Sequence, residues 1–138
     1  MNAKDVVLAK FSAIERCIHR IEQFADRLIN PQDFDAADIV ALNLERAIQS
    51  VIDSCNIIAA DMNYPLPNSY KKTADILCEN HWISPEMAAT IKQMIGFRNI
   101  VVHEYKEIDR QILARAATQG VRDLYEFMSA VSGRLRSD

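Results

Sequence analysis

The sequence predicts an all-α fold, a single antiparallel bundle of about five helices spanning residues 1–138 as one domain. Three observations predict it. Apolar residues recur at alternating steps of four and three along residues 4–29, the repeat of one helix face. Only three glycines and four prolines occur, too few for the turns of a sandwich or barrel. The β-branched run Ile100-Val101-Val102 has no second strand candidate to pair with, so it is read as helix.

Taken in order, the first helix covers residues 4–29, with Val7, Phe11, Ile14, Ile18, Ile21, Ala25 and Leu28 in one seam suited to a bundle. Asn30-Pro31 stops it. Asp35 is the expected N-cap of the second helix, with Asp38 near its positive end. That helix runs to about Asn63 through Leu44, Ile48, Val51, Cys55 and Ile58. The stretch Tyr64-Pro-Leu-Pro-Asn68 turns the chain, and Asn68 or Ser69 caps a short third helix ending near Glu79. Ser84-Pro85-Glu86 joins an N-cap, a first-turn proline and an early acid, and opens a fourth helix that carries Met87, Ile91, Met94 and Ile95. Asp109 caps the last helix, whose face is Leu113, Ala117, Val121, Leu124, Met128 and Val131.

The formal charge of −3 excludes a generally basic nucleic-acid coat protein, but the charge is uneven. Residues 1–70 hold ten acids and six bases, whereas residues 71–138 hold nine acids and ten bases. Lys92, Arg98, Lys106, Arg110 and Arg115 fall in one stretch, so either a local positive site or an ordinary mixed helix surface is expected there. Cys17, Cys55 and Cys78 are odd in number, have no CxxC spacing and lie in apolar helical patterns. They read as reduced, buried thiols of a cytoplasmic protein rather than as metal ligands, and no metal is expected. No apolar run marks a signal peptide or a membrane span.

Most catalytic signatures are absent: no phosphate-cradling glycine loop, no GxSxG elbow, no HExxH pair. What remains is Arg98-Asn99-Ile-Val-Val-His103-Glu-Tyr105. An arginine can stabilise charge developing on a phosphate, and a histidine can move a proton near neutrality. RNA supplies its own nucleophile, the 2′-hydroxyl, so neither a protein nucleophile nor a metal-bound water is required. His19, beside the first seam, and His81, in a connecting turn, read as structural. Five residues at about 100° each separate Arg98 from His103 by roughly 140° around a helix. Asn99 and His103 are i,i+4 neighbours, while Arg98, Val102 and Tyr105 would follow one stripe. For Arg98 and His103 to meet one phosphate, the helix must distort or a second subunit must contribute. Gly96 fits close approach of another helix, from a second copy or from within the chain.

Arg98-x4-His103-x-Tyr105 resembles the RX4HXY motif of the HepT toxins, a branch of the HEPN ribonucleases. The likeness extends to Glu45–Asp53 as a second helix, Pro67–Tyr70 as a loop, Gly96–Asn99 as the lead-in to the motif, and the helix order from about residue 5 to residue 130. The resemblance implies a helical homodimer with both motifs at a shared cleft, and metal-independent endoribonuclease activity on RNA with no cofactor. It implies His103 as the proton-transfer residue, Arg98 on the phosphate and Asn99 in support. It also implies a cognate minimal nucleotidyltransferase antitoxin that transfers AMP from ATP to Tyr105. The alternative is a non-catalytic HEPN module that binds a nucleotide or a partner.

Overall fold

The computed structural model describes residues 2–137 and builds them from helices and turns, with no strand among the described residues. Helix α1 (Ala3–Phe24) is capped by Asn2, whose side chain accepts the Asp5 amide, and it buries the predicted seam from Val7 to Ile21. Its last predicted turn tightens into a 3₁₀ turn (Ala25–Ile29) that still buries Leu28.

Helix α2 (Phe34–Asp61) starts earlier than expected: Asp33, not Asp35, is the N-cap, its Oδ1 accepting the Ala36 amide at 3.1 Å. The reason is local. Arg27 grips the same carboxylate through Nε at 2.7 Å and Nη2 at 3.1 Å, tying the end of α1's turn to the start of α2. These bonds, with that of the Ala36 amide, hold the Asp33 carboxyl below the ordinary carboxylate range. Helix α2 is the central element and buries residues around about half of its circumference, from Val40 and Leu44 to Ile52 and Cys55. It packs on α1 along its length, and on helices α3 (Tyr70–Glu79) and α4 (Pro85–Glu104).

Two helix ends use a device that the sequence hides. Asn63 and His81 both adopt left-handed φ, at 58° and 63°. Around each, the next residue donates back to a carbonyl five positions earlier, Tyr64 to Ala59 and Trp82 to Leu77, at 2.9 Å in both cases. These are Schellman caps built without glycine. The two residues that follow the caps then meet, as Trp82 Nε1 donates to Tyr64 Oη at 2.9 Å and the indole is buried under the Arg134 guanidinium, 4.6 Å from the ring centroid. His81 is therefore a turn residue, as read from the sequence.

Helix α5 runs through Arg110–Arg115, a π turn at Ala116–Gly120 and Val121–Ser137, with Asp109 as its cap. The π turn answers a fault in the pattern. Leu113, Ala117 and Val121 are spaced four and four, which over-rotates a regular helix, and one wider turn restores all three to the core. One continuous core joins all five helices, with Phe127 at its centre. Phe127 is 0% exposed and meets Phe11 edge-on, ring centroids 5.9 Å apart. Phe127→Ala should cost about 3–5 kcal/mol of unfolding free energy in urea titrations, and a loss below about 1 kcal/mol would contradict this placement. Cys55 is buried, which pushes its thiol up to about 12, whereas Cys17 and Cys78 are only half-buried, less than the sequence reading held.

Candidate RNA-cleavage site

Ser84 Oγ accepts the Met87 amide and Pro85 opens α4, so the helix enters the bundle with a fixed start. Up to Ile95 its inward stripe (Met87, Ile91, Met94, Ile95) is buried. The same stripe continues through Arg98, half-buried, to Val102, where the bundle's cover runs out and the side chain is 47% exposed. A second stripe, Gly96, Ile100 and His103, faces outward, with Ile100 45% exposed and nothing within 4 Å of where a Cβ on Gly96 would stand. That openness removes one of the two readings of Gly96: it is not there to let another helix of the same chain approach.

Arg98 is half-buried, its guanidinium 5.9 Å from the centroid of the Tyr70 ring and its Nη1 3.4 Å from Asn99 Oδ1. Its Nε is buried and has no hydrogen-bond partner among the described residues. His103 and Asn99 are exposed. The backbone is helical from Pro85 to Glu104, so no distortion turns Arg98 towards His103. Within one chain they stand roughly 140° apart around the axis.

Tyr105 departs from the predicted stripe with Arg98 and Val102. Glu104 leaves the helical region at φ −138° and ψ 38°, and a 3₁₀ turn (Tyr105–Glu107) follows. The turn carries the phenol across to α2, where Tyr105 Oη donates to Asp38 Oδ1. Burial, then the Asp38 hydrogen bond and charge, push the phenol up to about 12, against an opposing pull from Arg110. Local spacing assigns Asp38 only a helix-end role, and a partner 67 positions away leaves no signal in it.

The basic stretch resolves into separate duties. Lys92 pairs with Asp75 at 2.6 Å. Arg110 spends its guanidinium on four backbone carbonyls, those of Leu28, Asn30, Pro31 and Asp33. Lys106 and Arg115 are exposed, and with Arg98 they are what the stretch can offer to a phosphate chain. Among the described residues no three His, Cys, Asp or Glu side chains gather where they could hold a metal ion, and no helix is long and apolar enough to cross a membrane.

Residues 14–131 match the model of a protein family described as ribonuclease HepT-like. This chain belongs to that family. The HepT-like chain is 32% identical over 128 residues to an mRNA nuclease HepT of Shewanella oneidensis, a match covering 92% of this chain and 96% of the relative. Its fold superposes with a TM-score of 0.88 on a tri-AMPylated Shewanella oneidensis HEPN toxin in complex with an MNT antitoxin, at 32% identity over 96% of this chain and 99% of that one. A toxin–antitoxin structure with AMP-PNP gives the same TM-score at 31% identity, covering 94% of this chain and 98% of that one. The all-helical fold of the HepT-like chain is thus that of a ribonuclease toxin, as the motif Arg98-x4-His103-x-Tyr105 implies.

Proposed function

We propose that the protein is the RNA-cleaving toxin of a toxin–antitoxin pair, acting as one domain in a symmetric homodimer whose cleft joins Arg98 of one protomer to His103 of the other. The reading rests on one observation: Arg98 and His103 lie on different faces of a regular helix, each on a stripe whose large apolar member is left exposed. A second copy of α4 laid across Gly96 would cover Ile100 and bring a second motif to complete the site.

At that cleft His103 takes the proton of the RNA 2′-hydroxyl or returns one to the leaving oxygen, and Arg98 neutralises the charge gathering on the phosphate. Asn99, one helical turn before His103 and beside the Arg98 guanidinium, helps to fix the phosphate's orientation. A nucleotidyltransferase antitoxin silences the toxin by moving AMP from ATP to Tyr105, in line with the tri-AMPylated state of the Shewanella oneidensis toxin. The three thiols are free, which suits a reducing cytoplasm.

Complementation tests the composite site. Light scattering should give about twice the chain mass at micromolar concentration. Arg98→Ala and His103→Ala, each inactive alone, should regain about a quarter of wild-type RNA cleavage when mixed and allowed to exchange subunits, because half of the dimers are then mixed and each carries one intact site. A monomeric active enzyme, or mixed dimers as inactive as either parent, would overturn the proposal.

A further inference from the structure

Tyr105 and Asp38 meet at a concavity of about 390 Å³ formed where the start of α2, the turn after α4 and the start of α5 converge. Phe34, Ala37, Ile108 and Leu113 make its walls apolar. Three charged side chains line it: Asp38 from α2, Lys106 from the turn and Arg110 from α5. Arg110 is committed to the carbonyls of residues 28, 30, 31 and 33, so it fixes the approach to α2 rather than pairing with Asp38. Asp38 makes no ion pair among the described residues, and its one side-chain partner is the phenol. Tyr105 stays 38% exposed, open to an approaching reagent.

A neutral phenol is a poor nucleophile, and burial beside a carboxylate disfavours the free phenolate. The proton must therefore leave as the new bond forms, and something in contact with it must take it. We propose that Asp38 is the general base for AMP transfer onto Tyr105, so that the acceptor chain supplies this catalytic residue itself. The inference rests on the reading that Tyr105 accepts AMP.

The step balances. ATP is brought by the nucleotidyltransferase, and the Tyr105 oxygen forms a bond to its α-phosphorus. The bond from that phosphorus to the bridging oxygen breaks, and pyrophosphate leaves with the electron pair. The phenolic proton passes to Asp38 Oδ1 and from there to water. As the proton moves, the carboxylate becomes neutral, and the repulsion that disfavours the phenolate disappears in the transition state. An aspartate that accepts a substrate hydroxyl's proton during phosphoryl transfer follows the same logic. Lys106 and Arg110 at the rim offset the negative charge of the incoming nucleotide.

The test measures AMP per chain by intact mass over time, with purified toxin, the nucleotidyltransferase and ATP. Asp38→Asn keeps the shape but accepts no proton, and should slow transfer by about 10²-fold or more, while Asp38→Glu should recover much of it. Unchanged melting of the exposed Asp38→Asn variant marks the loss as chemical. The pH profile gives a second readout. Transfer to wild-type toxin should be nearly flat from about pH 6 to 9, whereas the Asp38→Asn rate should climb about tenfold per pH unit, since its phenol must ionise first. Equal rates and equal profiles for wild type and Asp38→Asn would overturn the role of Asp38. Wild-type toxin that gains no AMP at all would overturn the reading beneath it.

Discussion

Replacing His103 with alanine should lower the rate of RNA cleavage by about 10²–10⁴-fold, the usual worth of one positioned proton-transfer group. It should do so without unfolding the protein, because the imidazole is exposed. Helicity and melting temperature should match wild type to within the ±0.5 kcal/mol of an ordinary surface change. Arg98→Ala should also cut the rate by about 10²–10³-fold, as a lost charge-stabilising donor does. Arg98→Lys should not restore it, since a lysine keeps the charge but lacks the planar guanidinium fork that matches a phosphate. The double variant should be little worse than His103→Ala alone, because the two groups act on one transition state. Chelators should leave the wild-type rate unchanged. Wild-type cleavage by His103→Ala, or cleavage abolished by EDTA, would remove this mechanism.

The parts of the fold legible in the sequence are those that obey local rules. The seam from Val7 to Leu28, the Ser84-Pro85 start of α4 and the Asp109 cap each follow from a residue and its near neighbours, and each stands where expected. What was not legible depends on contacts between distant segments. Asp33 displaces Asp35 as the cap of α2 because Arg27 reaches it from the preceding turn. Asn63 and His81 end helices in a conformation usually given to glycine, so a search for glycine passes over both. The π turn at Ala116–Gly120 shows in the sequence only as two successive steps of four. At the site the motif named Arg98, His103 and Tyr105, and helix geometry foretold that the first two diverge. Nothing local foretold that Glu104 would break the helix and send Tyr105 to Asp38.

Replacing Tyr105 with phenylalanine should abolish AMP addition and leave a toxin that its antitoxin no longer silences. The ring and its packing remain in the variant, and only the oxygen is lost, so the fold should give up no more than the roughly 1 kcal/mol of one hydrogen bond. The consequence for regulation is much larger. In the unmodified chain the phenol donates to Asp38, a bond that requires its proton. Once the oxygen is esterified to AMP it has no proton to donate, and a phosphate charge stands against the Asp38 carboxylate. That repulsion should drive the side chain out of the concavity and carry its nucleotide towards solvent, two residues from His103. There the added negative charge should repel the RNA backbone and offer Arg98 a competing phosphate through charge-assisted hydrogen bonds. Co-expression of toxin and nucleotidyltransferase, followed by intact mass measurement, reads the outcome. Wild-type toxin should gain mass in steps of one AMP, and the modified form should cut RNA at least about 10²-fold more slowly, whereas Tyr105→Phe should gain none and cut RNA in the antitoxin's presence. A fully silenced toxin whose Tyr105 carries nothing would show that the antitoxin acts by covering the cleft instead.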